Sequence, residues 1–137
     1  MKKSFLFFCF LFLASCHQEQ ESLPKMSVKV NEKPLEVYQG SYCWDTKCVD
    51  KIGPEQIATK HTPAVVRKGS EAAFSVKSKR KQKSIDVTML RNGAAVPVVL
   101  NKNNTIPLPS EPGTYIYHIG VFWEQGDVGY IFQVKVE

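Results

Sequence analysis

The sequence of 137 residues has few of the patterns on which enzymes and metal proteins rely. Its three histidines, His17, His61 and His118, do not have the spacing of metal ligands, and no His–Glu helix signature is present. It also lacks a glycine-rich phosphate loop and a nucleophile elbow. These absences favour a protein that is not an enzyme and that needs neither a metal nor a cofactor.

Phenylalanine and long apolar runs become scarce once the first 15 residues are set apart. Five of the eight Phe precede residue 13, whereas all eight Pro and all eight Gly follow residue 15. The longest apolar run, residues 5–14, is too short for a bilayer-spanning helix, which needs about 20 residues. The Pro and Gly content argues against a helical bundle or coiled coil, and the remaining length suits one domain.

The N-terminus has the three parts of a signal peptide. Lys2 and Lys3 precede the apolar run, and a small residue, Ser15, precedes Cys16, which predicts that residues 1–15 are cleaved off. Leu13-Ala14-Ser15-Cys16 resembles the lipobox of bacterial lipoproteins. The resemblance implies a diacylglycerol thioether on Cys16, and hence lipid anchoring at the extracytoplasmic face of the cell membrane. An ordinary secretory signal with a Cys near its end is the alternative.

The polar residues that follow predict a short flexible tether, residues 16–25, before a folded domain, residues 26–137. That domain contains two cysteines, Cys43 and Cys48. An even pair in an exported protein predicts a disulfide, which across so short a loop contributes about 2 kcal/mol. A redox pair, which usually has two intervening residues rather than four, and two free thiols are the alternatives.

Alternating apolar residues predict strands over most of the domain, including residues 26–30, 35–38, 72–76, 85–89, 95–100, 115–123 and 130–136. Gly40-Ser41 is expected to break the second strand, and Asn92-Gly93 to close a hairpin. Residues 53–58 form the one expected helix, with Pro54 in its first turn. About eight short strands separated by turns predict an all-β, immunoglobulin-like antiparallel β-sandwich.

Three segments resemble known proteins. Glu111-Pro-Gly-Thr-Tyr115 resembles the tyrosine corner of immunoglobulin-like domains, which implies that the Tyr115 hydroxyl bonds to nearby backbone. Residues 39–50 and 123–132 resemble a group of small, uncharacterised lipoproteins of Gram-positive spore-forming bacteria. That resemblance implies an immunoglobulin-like domain and transfers no catalytic residue. A fainter similarity is to small β-sandwich proteinase inhibitors of the same bacteria, but no reactive-site loop matches.

Two groups of residues are candidate binding sites. Tyr42 and Trp44, beside the cysteine pair, can form a rigid aromatic platform for sugar or peptide, unless Trp44 instead packs in the core. The second group is a run of cations in a chain of net charge +5, comprising Lys77, Lys79, Arg80, Lys81 and Lys83. Such a run binds anionic headgroups or polymers, or simply solvates a loop between two strands.

The sequence thus predicts a monomeric, membrane-anchored lipoprotein that acts as a non-catalytic binding module at the cell envelope, with no nucleic-acid partner. One alternative is an accessory protein that docks on anionic lipid or wall polymer through the basic run. Another is an extracytoplasmic proteinase inhibitor or an enzyme of unrecognised type. An exposed aromatic platform would favour the binding module, and a protruding basic loop would favour the accessory protein. A cleft that joins His61 or His118 to acids would favour the inhibitor or enzyme.

Overall fold

The computed structural model describes residues 22–137. The predicted signal peptide, Cys16 and most of the predicted tether lie outside the described residues. The elements in chain order are β1 Lys25–Val30, β2 Lys33–Leu35, β3 Tyr38–Trp44, β4 Lys47–Val49, α1 Pro54–Ala58, β5 Ala64–Val66, β6 Glu71–Lys77, β7 Ser84–Arg91, β8 Ala94–Pro97, β9 Ile106–Pro107, β10 Gly113–Trp123 and β11 Gly126–Val136.

The strands form two sheets that pack as a sandwich, consistent with the predicted all-β, immunoglobulin-like fold. The smaller sheet has the order β2-β1-β6-β9, and the larger has the order β4-β3-β11-β10-β7-β8. Neighbours pair antiparallel, whereas β5 pairs parallel with the last residues of β11. The hairpin of β10 and β11 lies at the centre of the larger sheet, as its long alternating pattern predicts.

The core lies between the sheets and is built mainly from the inward faces of β10 and β11. Tyr117 and Phe132 stack there with ring centroids 4.9 Å apart, and both are almost completely buried. On the outward face of β11, Ile131 and Gln133 are buried as well, and α1 packs over this part of the face, whereas Lys135 stays exposed. Gln133 donates its amide N–H groups to the carbonyls of Ala58 and His61 at 2.8 and 3.0 Å, which fixes the helix to the sheet.

The resemblance to a tyrosine corner correctly predicts the contact of Tyr115. Its hydroxyl donates to the backbone carbonyl of Glu111 at 2.9 Å, four residues upstream. The Asn92-Gly93 hairpin also forms, with positive φ at both residues, and joins β7 to β8. Such turns match the twist of the strands that flank them.

Three predicted strand boundaries are wrong. Gly40 does not break β3, since it lies buried within the strand where an added Cβ would approach the Ile131 side chain at 3.1 Å. The β1–β2 hairpin turns at Asn31 and Glu32, both with positive φ, so that pairing resumes at Lys33 rather than Leu35. β8 ends at Pro97 rather than at residue 100.

The four strands at the sheet edges are short, and each carries a residue that discourages further pairing. Pro34, Pro97 and Pro107 lie in β2, β8 and β9, and Lys47 begins β4. Proline removes a backbone donor, and an edge lysine would have to be desolvated against another strand. The edges therefore favour a chain that does not extend its sheets by pairing with other strands.

Candidate functional site at the basic end of the sandwich

Strand register brings three connections to one end of the larger sheet. Phe122 pairs with Ser84, the first residue after the basic run, and Trp123 and Trp44 both pair with Gly126. The turns 45–46 and 124–125 therefore lie beside the end of the loop formed by residues 78–83. They are also directly joined, since the Asp45 N–H donates to the Gln125 carbonyl at 2.8 Å.

The smaller sheet contributes the start of β1 to the same region. Lys25, the first residue of β1, pairs with Lys77, the last residue of β6, and both side chains are exposed. We define the basic end as the loop 78–83, the turns 45–46 and 124–125, and the Lys25–Lys77 pair. The far end consists of the opposite turns, residues 31–32, 67–70, 92–93, 101–104 and 110–112.

The basic loop crosses from β6 in the smaller sheet to β7 in the larger. Its four cations, Lys79, Arg80, Lys81 and Lys83, are exposed, as is Lys77 at the end of β6. Its backbone is tied to β10, because the Lys83 N–H donates to the Phe122 carbonyl at 2.7 Å, and it carries an internal bond from the Arg80 N–H to Ser78 Oγ at 3.1 Å. A fixed backbone therefore presents these cations to solvent.

The loop lysines lack neutralising partners in the described part of the chain. No carboxylate of residues 22–137 lies within 4.0 Å of Lys77, Lys79, Lys81 or Lys83. The acids nearest in register are Asp45 and Glu124 in the two turns, and Asp127. Adjacent cations repel one another, so this end has a local positive potential that attracts anions.

The predicted disulfide is present. Cys43 and Cys48 face each other across β3 and β4, with an S–S distance of 2.08 Å and Cα atoms 4.0 Å apart. The two-residue turn between the strands begins at Asp45, whose φ of 53° is in the left-handed region. The bridge thus ties together the hairpin that forms one side of the basic end.

The aromatic residues beside this disulfide do not form an exposed platform. Trp44 is only 6% exposed and packs edge-on against Trp123, with centroids 5.2 Å apart. Tyr42 is half-buried and packs against the core cluster. Trp44 therefore packs in the core, as the alternative to the platform predicted. Of the two candidate binding sites, the basic loop is the more accessible to solvent.

A different aromatic pair, not predicted from the sequence, lies near α1. Tyr38 stacks on His61 with centroids 3.9 Å apart, and its hydroxyl donates to Glu36 Oε2 at 2.5 Å. Partial burial and the Glu36 carboxylate raise the pKa of Tyr38 to about 12. No local motif signals this contact, because His61 comes from a loop distant in sequence from β3.

His118 lies over the cross-strand pair of Gly120 and Gly129 on the outward face of the larger sheet. An added Cβ on Gly129 would come 2.5 Å from His118 Nε2, so this glycine makes room for the ring. Burial lowers the pKa of His118 below its ordinary value of 6.5. Within residues 22–137, no three His, Cys, Asp or Glu side chains are grouped so that they could hold a metal.

No protein-family model, curated protein or solved structure matches the chain. In the part of the chain that the structure describes, no helix combines the length and apolar character needed to cross a membrane.

Proposed function

We propose that this protein is a non-catalytic binding module, held at the extracytoplasmic face of the cell membrane by a lipid on Cys16. Its binding surface is the basic loop, which docks on an anionic component of the envelope. This proposal combines the N-terminal pattern of the sequence with the charge arrangement at the basic end.

The observation that carries the proposal is the exposure of Lys77 and of all four loop cations, on a backbone tied to β10 at Phe122. A cationic segment near an anionic surface gains about 1 kcal/mol for each Lys or Arg. Fixing the backbone before binding also reduces the entropy that docking must remove. The buried position of Trp44 makes the other candidate surface, the aromatic platform, less suited to binding.

The lipid anchor is tested on the full chain expressed in a bacterium that lipidates its own lipoproteins. We expect palmitate labelling, and a mature mass that lacks residues 1–15 and carries diacylglycerol on the peptide beginning with Cys16. Cys16→Ala is the matched control and should abolish the label. Residues 1–15 retained in mature material would contradict the proposal.

The binding surface is tested separately with a soluble polyglycerol phosphate and the full chain in neutral detergent. Lys79→Gln/Arg80→Gln/Lys81→Gln should weaken binding roughly 100-fold, since three charges contribute about 3 kcal/mol. The matched control, Arg67→Gln/Lys68→Gln/Lys102→Gln, removes three exposed cations from the far end. Equal losses in the two triple variants would show that net charge, rather than the basic loop, binds the anion.

A further inference from the structure

We infer that the basic end rests on the phospholipid leaflet that holds the protein's own anchor, so that the bound anion is a lipid headgroup. This inference rests on the proposed function, and specifically on the lipid at Cys16. It goes further by assigning an orientation to the domain and a source to the anion. Four features of the structure support it.

The first feature is the position at which the chain enters the domain. The Tyr130 hydroxyl donates to the carbonyl of Pro24 at 2.5 Å, and Pro24 is buried. The next residue, Lys25, pairs with Lys77 at the start of the basic loop. The entry of the chain is therefore fixed beside the basic end.

The second feature is the short length of chain between this entry and Cys16. Eight residues span at most about 28 Å even when fully extended. The sandwich is longer, because an 11-residue strand such as Gly113–Trp123 measures about 36 Å. A lipid on Cys16 therefore holds the entry, and the basic end beside it, close to the bilayer.

The third feature is the Lys25–Lys77 pair, which extends the cationic surface from the loop to the chain entry. The two lysines are directly opposite on antiparallel strands and both are exposed. Like charges in that position destabilise a sheet. An anionic headgroup that contacts both ammonium groups would attract each of them and so offset their mutual repulsion. The pair lies at the start of β1, the end of the domain from which the chain leads back to Cys16.

The fourth feature, Phe122, favours a bilayer over a soluble polymer. Its side chain is 37% exposed on the outward face of the larger sheet, and its carbonyl accepts the Lys83 N–H. Apolar side chains beside cations are typical of surfaces that enter the boundary between headgroups and acyl chains. A polymer of alternating polyol and phosphate offers no comparable apolar phase to an aromatic ring.

The test uses the full lipidated chain, purified in detergent and reconstituted into two kinds of vesicle. One kind contains only phosphatidylcholine, and the other also contains phosphatidylglycerol. A membrane-impermeant amine reagent labels exposed lysines, and peptide mass spectrometry measures each site. We expect labelling of Lys79, Lys81 and Lys83 to fall several-fold on anionic vesicles, and to recover at high salt because salt screens the contact.

Lysines at the far end serve as internal controls. Lys68 and Lys102 are exposed and should be labelled equally on both vesicles. Equal labelling of the loop lysines on both vesicles, or protection of Lys68 and Lys102 instead, overturns the orientation. Protection of the loop on neutral vesicles by added polyglycerol phosphate, with none from phosphatidylglycerol, identifies a polymer and overturns the lipid assignment.

A pair of variants tests the part assigned to Phe122. Phe122→Ala should increase labelling of Lys83 on anionic vesicles, whereas Val65→Ala, at an exposed valine toward the far end, should leave it unchanged. The mass of the Cys16 peptide from the same samples separates the two proposals. An unlipidated Cys16 contradicts the proposed function, whereas a lipidated Cys16 with unprotected loop lysines contradicts only the orientation.

Discussion

The two ends of the sandwich differ in how many of their charged side chains form ion pairs. At the far end, Arg91 pairs with Glu111 at 3.9 Å and Lys135 pairs with Glu137 at 3.1 Å. At the basic end, the loop lysines have no carboxylate of residues 22–137 within ion-pair distance. Charge at the far end is therefore compensated in part inside the domain, whereas Lys77, Lys79, Lys81 and Lys83 at the basic end have no carboxylate partner among residues 22–137.

Polar side chains show the same contrast. Near the far end, Glu71 accepts hydrogen bonds from Asn101 at 2.7 Å and from Thr105 at 3.0 Å, and this closes the loop 101–104 onto β6. In the basic loop, by contrast, the hydrogen bonds of Arg80 to Ser78 and of Lys83 to Phe122 come from backbone N–H groups. The comparison shows ion pairs and polar side-chain bonds at the far end, and lysines without a carboxylate partner in the described residues at the basic end.

The largest expected effect is at Gly126, the first residue of β11, directly after the turn 124–125 of the basic end. A Cβ added there would overlap the Cys43 carbonyl oxygen, and φ is +153°. We expect Gly126→Ala to lower the free energy of unfolding by on the order of 4 kcal/mol in urea denaturation. Gly69→Ala, at an open far-end turn with φ of +73°, should cost only about 1 kcal/mol. Equal costs would refute the tight packing of the basic-end turns.

The next effect concerns the disulfide. Cys43→Ala/Cys48→Ala removes a bridge that closes a short loop, so unfolding free energy should fall by about 2 kcal/mol. Amide hydrogen exchange should become faster in β3 and β4, and stay unchanged in the loop 101–104. Faster exchange at both ends would show that the bridge supports the whole sandwich rather than its basic end.

Removing the hydroxyl of either of two tyrosines should lower the unfolding free energy by about 1 kcal/mol, and the two variants form a matched pair. Tyr115→Phe removes the bond to Glu111 at the far end, and Tyr130→Phe removes the bond to Pro24. Both variants should lose similar unfolding free energy in urea. Only Tyr130→Phe should speed exchange of the Lys25 and Met26 amides and weaken protection of the loop lysines on anionic vesicles. Similar exchange in both variants would argue against Tyr130 fixing the chain entry.

A smaller effect is the pH dependence at His118. Burial lowers its folded pKa below 6.5, so between these two values the unfolded chain binds more protons than the folded one. Stability should therefore fall as pH drops below about 6.5, until the folded pKa is passed. His118→Gln should flatten this part of the urea-midpoint profile between about pH 7.5 and 5. An unchanged profile would assign the dependence to another group.

The smallest stability effect is expected where binding changes most. Lys79→Gln/Arg80→Gln/Lys81→Gln should alter unfolding free energy by less than about 0.5 kcal/mol, because the side chains are exposed. Arg91→Gln should cost up to about 1 kcal/mol through loss of its exposed ion pair. A strongly destabilised triple variant would mean that the loop cations support the fold, and the contrast between the ends would fail.

Local patterns predicted much of the fold. Alternation predicted the central hairpin of β10 and β11, and Asn92-Gly93 predicted the hairpin of β7 and β8. The even number of cysteines in the predicted mature domain indicated the disulfide between Cys43 and Cys48. The error at Gly40 occurred where a distant element decides the outcome. Gly40 continues β3 because Ile131 of another strand packs closely on it. Gln133, on the outward face of β11, is buried because α1 packs over it, which no alternation within β11 can indicate.

The sequence by itself determined which residues alternate, where the chain turns tightly and where cations cluster, because these properties depend on near neighbours. Only the tertiary structure decided that Trp44 packs in the core against Trp123. It also decided that the basic loop shares an end of the sandwich with the chain entry, through the pairing of Lys25 with Lys77. The reason is that register between strands, and packing between sheets, join residues far apart in the chain.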